Sequence, residues 1–128
     1  MTLKNQLARA LADYDNLRKR TEAEKSVWLE FAKQELLIKL LPVLDTLEKA
    51  QKHLKDEGLV MAISQFQNIL KEGGIIKIEG GKFDAKIHEA VDVVKGKEEG
   101  KITEVLLTGW KFEDGPVIRP AKVKVIKS

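Results

Sequence analysis

Cysteine is absent from this 128-residue chain, and aromatic residues, proline and histidine are scarce. Without cysteine the chain has no disulfides, iron–sulfur clusters, cysteine-ligated zinc or thiol nucleophile. Aromatic residues make up only 5% of the sequence, which is little for an aromatic ligand pocket or a base-stacking surface. Its two histidines, His53 and His88, offer little for a histidine metal site. These absences point away from an enzyme and towards a binding or scaffold protein.

Positive charge is in slight excess but is not concentrated. The formal net charge is +3, and residues 1–54 carry ten Lys and Arg against eight Asp and Glu. Because positive and negative residues alternate along the chain, no strongly basic surface for nucleic acid is expected. Arg18-Lys19-Arg20 is a small basic cluster. No apolar run approaches the roughly 20 residues that span a bilayer, and no signal-peptide pattern opens the chain. We therefore expect a cytoplasmic protein that binds neither nucleic acid nor membranes.

Glycine divides the chain near residue 73. Gly58 is the one glycine before that point, whereas eight of the nine glycines lie from Gly73 onward. Long proline-poor and glycine-poor segments favour helix, and short apolar runs between glycines favour strands. We predict an α+β chain with a helical domain over residues 1–73 and a small all-β domain over residues 74–128. The expected strands are Ile75–Glu79, Ala90–Val94, Ile102–Leu107, Trp110–Phe112 and Val117–Ile126.

The N-terminal segment has the spacing of a coiled-coil seam. From Leu3 to Phe31 the seam positions recur at alternating intervals of four and three residues, with polar Thr21 and Glu24 in the middle. A helix this long cannot bury its stripe without a second long helix, so we predict a parallel homodimer. The predicted interface residues of this seam are Leu3, Leu7, Tyr14, Leu17, Trp28 and Phe31.

Beyond the seam the apolar face widens, which is typical of a bundle of more than two helices. A second helix is expected after Gly58 and should end at Gly73-Gly74. Two such segments per chain would give a dimer a four-helix bundle, and Pro42 should kink or break the first helix. The predicted interface residues here are Leu40, Leu44 and Leu47. Helix ion pairs are expected for Asp15–Lys19, Glu35–Lys39, Asp45–Lys49 and Glu48–Lys52.

No catalytic, cofactor-binding or metal-ligating residues are predicted. His88-Glu89 begins an H-E-x-x-H zinc motif, but Asp92 stands where the second histidine belongs. We expect His88 to be a turn or strand-edge residue with a structural hydrogen bond. Gly73-Gly74 and Gly80-Gly81 are not followed by the G-K-S/T of a phosphate loop.

Three separated segments carry a resemblance to the GrpE family, the nucleotide exchange factors of the heat-shock chaperone DnaK. The first segment combines D-N-L-R-K-R-T at residues 15–21 with L-L-P-V-L-D-T-L-E-K-A at residues 40–50. The second, F-D-A-K-I-H-E-A-V at residues 83–91, is similar to the family's F-D-P-x-x-H-E-A-V. The third combines Gly109-Trp110 with I-R-P-A-K-V-K-V at residues 118–125. Departures are Ala85 for proline, Trp110 for tyrosine, and Gly115 where the family often has arginine.

The resemblance implies a homodimer of long helices, a four-helix bundle and β-domains, one of which opens the nucleotide cleft of DnaK. It implies no cofactor and no small-molecule substrate, and it suggests that the long helix unwinds on heating. It also implies an N-terminal tail, so a chain without one is expected to be shortened or an unusual member. The candidate DnaK-binding residues are Arg18, Lys49, Phe83, Leu106 and Arg119. For Phe83 and Leu106 core packing is an open alternative, and for Arg119 a structural salt bridge.

Two other functions remain open at this point. A client-holding chaperone of the prefoldin type would also combine coiled coil and β-hairpins, but it would not change ADP release. A DNA-binding dimer would need a basic helix face larger than Arg18-Lys19-Arg20.

Overall fold

The computed structural model describes residues 2–128, which form two helices followed by six strands. The long N-terminal helix and the small C-terminal β part confirm the predicted α+β class. The helices are α1 (Leu3–Leu54) and α2 (Glu57–Glu72). The strands are β1 (Ile75–Lys77), β2 (His88–Lys95), β3 (Ile102–Leu107), β4 (Trp110–Phe112), β5 (Val117–Arg119) and β6 (Ala121–Lys127).

By internal contacts the chain divides into two compact units, one ending at Leu37 and the other spanning Ile38–Ser128. The first unit is the N-terminal part of α1. Thr2 caps it, because its hydroxyl oxygen accepts a hydrogen bond from the Asn5 amide at 3.2 Å. Residues 2–36 are exposed except for Asp15 and Gln34, which are half-buried. The predicted domains, residues 1–73 and 74–128, have other bounds than these units and stay a prediction.

In the second unit α1 continues without interruption through Pro42 to Leu54, so the predicted break is wrong. Proline removes a single amide donor from the helix ladder. The Pro42 carbonyl also accepts a bond from the Thr46 hydroxyl at 3.0 Å. The chain then turns at Lys55, which has a φ of 50°, and Asp56 caps α2 by accepting from the Gly58 amide at 2.8 Å. As predicted, α2 ends at the Gly73-Gly74 pair.

The strands form two three-stranded sheets. One sheet has the order β1-β4-β5 and is antiparallel throughout, and the other has the order β2-β6-β3, with β2 parallel and β3 antiparallel to β6. The predicted single strand Val117–Ile126 is in fact two strands in different sheets, β5 and β6, separated at Pro120. Because proline has no amide proton, it cannot continue a ladder and marks the crossing point.

The β part has a small apolar core of Ile78, Ile102, Ala121 and Val123. Partly buried Phe83, Ile87, Val117 and Val125 pack against it. Among the helical residues of the second unit, Leu41, Leu44 and Leu70 are buried. Helical and β segments of this unit therefore both contribute buried apolar side chains. Within the described residues, no helix is sufficiently long and apolar to cross a membrane.

Candidate partner-binding site

A shallow groove lies between the C-terminal part of α1 and the end of β3. The helix contributes Asp45, Glu48, Lys49 and Lys52, whose spacing of three and four residues places them on one face. The β part contributes the segment Val105–Thr108, which runs from β3 towards the short connection to β4. Residues far apart in the sequence thus line one surface, with polar side chains on the helix and apolar side chains on the strand.

The two carboxylates of the groove already have partners. Both oxygens of Asp45 accept hydrogen bonds from Arg119, at 2.6 and 2.8 Å. Glu48 accepts one from the side-chain amide of Gln67 on α2, at 3.1 Å. Lys49 and Lys52 form no ion pair within residues 2–128. The groove therefore presents two ammonium groups without an ion-pair partner in the described part of the chain, beside the Glu48 carboxylate, whose charge the neutral Gln67 amide does not cancel.

The strand side of the groove adds exposed apolar area. Val105 and Leu106 are 41% and 46% exposed, although both lie in a strand. Unpaired ammonium groups beside exposed aliphatic side chains suit a protein surface that carries carboxylates next to apolar residues.

Arg119 connects the parts that form the groove. Its two terminal nitrogens bind the Asp45 carboxylate side by side, and its Nε donates to the Thr108 carbonyl at 2.9 Å. The Arg119 and Asp45 side chains are only 15% and 18% exposed. A planar guanidinium suits this arrangement, because it offers donors in fixed directions. The structural salt bridge considered for Arg119 is thus present.

The other candidate partner residues are distributed as follows. Lys49 and Leu106 line the groove together. Phe83 is half-buried against the β core, with its ring centroid 6.1 Å from that of His88, so it packs as a core side chain. Arg18 is exposed in the first unit, 3.3 Å from Asp15. The structure therefore brings together Lys49, Leu106 and, through Asp45 and Thr108, Arg119.

Most of the predicted dimer-interface residues are exposed within the single chain. Leu44 differs, because it is 1% exposed and so already packs inside its own chain, and Leu47 is half-buried. Leu40 is 38% exposed. The exposed residues of this set are Leu3, Leu7, Tyr14, Leu17, Trp28, Phe31 and Leu40.

Sequence reasoning missed Asp45 as a member of the site. It assigned Asp45 to a helix ion pair with Lys49, but the carboxylate binds Arg119 instead. Of the four predicted helix pairs, Asp15–Lys19 forms at 3.1 Å, and the other three do not form within the described residues. No local pattern could reveal the true partner of Asp45, because Arg119 lies 74 residues further along the chain.

His88 has the structural role expected for it. The ring is 4% exposed, its Nδ1 accepts from the Asp84 amide at 3.0 Å, and its Nε2 lies 2.7 Å from the Glu79 carbonyl. An acceptor at Nδ1 requires the proton to be on Nε2, so the ring is neutral and donates to Glu79. Within residues 2–128, no three His, Cys, Asp or Glu side chains are grouped as metal ligands.

A long helix with exposed apolar side chains, followed by a β part and a groove with two lysines beside exposed aliphatic residues, is typical of proteins that bind other proteins. Comparison with known sequences gives the family. The GrpE family model matches residues 1–127. The chain belongs to the GrpE family, the nucleotide exchange factors of the chaperone DnaK. This confirms the prediction from the three sequence motifs and does not favour the prefoldin-type alternative.

Individual relatives agree over most of the chain. It is 38% identical over 131 residues to Protein GrpE of Helicobacter pylori (strain G27), covering 94% of this chain and 68% of that protein. It is 35% identical over 139 residues to Protein GrpE of Helicobacter hepaticus, covering 100% and 75%. Protein GrpE of Carboxydothermus hydrogenoformans is 42% identical over 130 residues, covering 93% and 66%.

Proposed function

We propose that this chain works as a cytoplasmic homodimer that binds the ATPase domain of a DnaK-type chaperone, opens its nucleotide cleft and releases ADP. Membership of the GrpE family supports the exchange activity. The observation that carries the site is the groove in which Lys49 and Leu106 lie together. Candidate contacts far apart in the sequence share one surface, as a binding site for a folded partner requires.

The activity needs differential binding rather than catalysis. A protein that binds the open form of a cleft more tightly than the closed form shifts the population towards the open form. The nucleotide then loses contacts with one wall of its site and dissociates faster. No bond is made or broken in the exchange factor, so the mechanism needs no catalytic residue, cofactor or metal.

Exposed apolar side chains support the dimer. On α1, Leu7, Leu17 and Trp28 are between 50% and 67% exposed in the single chain. On α2, Val60, Met61 and Ile69 are also exposed. Burying apolar area contributes about 25 cal/mol for each Å² removed from water, which favours association of two copies. We propose that α1 pairs with its counterpart and that α1 and α2 of both copies form a four-helix bundle.

In the proposed complex, the groove recognises a surface of DnaK that carries carboxylates beside apolar residues. Lys49 supplies charge and Leu106 supplies apolar contact area, while Arg18 is a further candidate contact on the helix. Direct contacts of Phe83 and Arg119 with DnaK stay predictions. The packing of Phe83 and the salt bridge of Arg119 support structural roles for both.

The test is the rate at which DnaK releases a fluorescent ADP analogue, measured by stopped flow. We expect Lys49→Glu to weaken DnaK binding and slow exchange about tenfold at limiting concentration, because it places a carboxylate where the partner offers one. The matched control is Lys39→Glu, an equal charge change on an exposed residue of α1 outside the groove. If the Lys49→Glu variant and the parent accelerate ADP release equally, with melting unchanged, Lys49 does not belong to the site.

A further inference from the structure

Arg119 holds three segments of the second unit together. It lies in β5, binds both carboxylate oxygens of Asp45 on α1, and binds the carbonyl of Thr108 between β3 and β4. Asp45 and Thr108 themselves line the two sides of the groove. A single side chain thus ties the helix side of the groove to its strand side.

We infer that the Asp45–Arg119 pair is a positioning element for the partner-binding groove, which sets both its geometry and its charge. The inference rests on the proposed function, because it concerns the surface assigned there to DnaK. Arg119 and Asp45 need not touch the partner. They act through Leu106 and Lys49, which do.

The geometric part follows from the hydrogen bonds. Thr108 follows directly after the Val105–Leu107 segment, and its carbonyl is fixed by Arg119 Nε at 2.9 Å. With the guanidinium held at two points by Asp45, this short segment is held beside α1. Losing either partner frees one anchor to α1, so the β3–β6 ladder, which pairs Val105 and Leu107 but is irregular between them, would be left to set the distance of Leu106 from Lys49.

The charge part follows from the position of Asp45 on the helix. Asp45 lies four residues before Lys49, the spacing and order at which a carboxylate and an ammonium readily pair on a helix. Arg119 occupies both oxygens of Asp45 and leaves Lys49 without an ion pair among the described residues. If Arg119 lost its charge, Asp45 could turn to Lys49 and neutralise the cation that the groove offers.

These two parts predict different results for the two residues. Arg119→Gln removes the anchor and also releases the Asp45 carboxylate towards Lys49. Asp45→Asn removes the charged anchor but leaves Lys49 unpaired. Adding Asp45→Asn to Arg119→Gln should therefore restore part of the partner affinity that Arg119→Gln loses. A pair that only stabilises the fold would recover its melting temperature in the double variant as well, because Asp45→Asn removes the half-buried carboxylate that Arg119→Gln leaves unpaired. The charge part instead predicts recovered affinity without recovered protection of residues 105–109.

The experiment compares the full-length parent with Asp45→Asn, Arg119→Gln and the double variant. Affinity for the DnaK ATPase domain is measured by titration, and hydrogen exchange is followed at residues 105–109 in the absence of DnaK. We expect faster exchange at residues 105–109 in all three variants. Affinity should fall roughly 3- to 30-fold, the range for residues that act through others, most in Arg119→Gln and less in the double variant.

Several results would overturn the inference. Unchanged hydrogen exchange at residues 105–109 in Arg119→Gln would contradict the geometric part, regardless of the affinity measured for DnaK. Absence of recovery in the double variant would remove the charge part. If Arg119→Gln proves unfolded, Arg119→Lys replaces it, because lysine keeps the charge but cannot make the three bonds. Arg119→Lys should then raise exchange at residues 105–109, and unchanged exchange would contradict the positioning role.

Lys49→Glu separates this inference from the proposed function. It should weaken DnaK binding without changing hydrogen exchange at residues 105–109, since Lys49 makes no ion pair there. If Lys49→Glu weakens binding but a folded Arg119→Gln binds normally, the positioning role is wrong and the surface stands. If neither weakens binding while Arg119→Gln still loosens residues 105–109, the pair positions that segment but the assignment of the surface to DnaK is wrong.

Discussion

At the scale of single residues, Gly109 stands where the backbone of a neighbouring strand leaves little room for a side chain. Gly109 is buried where the β3–β4 connection passes against β6. A Cβ atom there would meet the backbone nitrogen of Ala121 and lie 2.8 Å from its Cα. Backbone cannot move aside as a flexible side chain can. The Gly109 carbonyl also accepts a hydrogen bond from the Ile78 amide at 2.9 Å, so a displacement would also disturb the neighbouring segment.

We expect Gly109→Ala to lower the free energy of unfolding by about 1–3 kcal/mol, because the added methyl group overpacks a site closed by backbone. Urea unfolding followed by circular dichroism measures the change. The control is Gly80→Ala, whose methyl group would meet Val105 at an ordinary 3.7 Å. Equal stability of the Gly109→Ala variant and the parent would show that the connection can move away from β6 at little cost.

At the scale of elements, α1 differs along its length. Its first part, up to residue 36, is almost wholly exposed in the single chain, whereas Leu41 and Leu44 further along are fully buried. Helices derive most of their stability from packing rather than from propensity. In a dimer the seam of the first part would also contain Thr21 and Glu24, which pack poorly. Local stability should therefore be lower over the first part.

We predict that the first part of α1 melts before the rest, which would make it a thermosensor. Hydrogen exchange resolved along the chain during a temperature ramp should show residues 10–30 losing protection before residues 36–70. Thr21→Leu combined with Glu24→Leu should raise only the first transition, by several degrees, because each buried leucine contributes roughly 1.5–3 kcal/mol. Persistent protection of residues 10–30 until residues 36–70 exchange would contradict the sensor role.

At the scale of the whole molecule, the proposed dimer would cover the apolar side chains that α1 exposes in the single chain. We expect sedimentation at micromolar concentration to give twice the chain mass of 14.4 kDa. Leu40→Asp should shift the protein towards monomer, because Leu40 is exposed in the single chain and would be buried only by a second copy. Leu44→Asp is unsuitable, since Leu44 is buried within its own chain.

Lys39→Glu, next to Leu40 and exposed, is the control for that experiment and should stay dimeric. A clean monomer for the parent at micromolar concentration would contradict the proposed architecture. The same sedimentation run tests whether the Lys49→Glu variant remains a dimer. If it does, its slower ADP release can be assigned to the groove alone.

The sequence by itself determined the elements and the family. Periodicity of apolar residues predicted the long helix, glycine pairs predicted where α2 ends, and short apolar runs predicted most strands, since these signals depend on neighbours in the chain. Three motifs in order predicted the GrpE family. The sequence also predicted a structural His88, because Asp92 stands where a zinc motif would need its second histidine.

Only the tertiary structure decided the partners of charged groups and the course of the last strands. Asp45 had a plausible partner four residues away, yet it binds Arg119, because a guanidinium with two parallel donors satisfies a half-buried carboxylate better than one ammonium does. Pro42 could interrupt α1 but does not, whereas Pro120 separates two strands that belong to different sheets. The partner of Asp45 and the effect of each proline depend on contacts between segments far apart in the sequence, which local sequence patterns cannot predict.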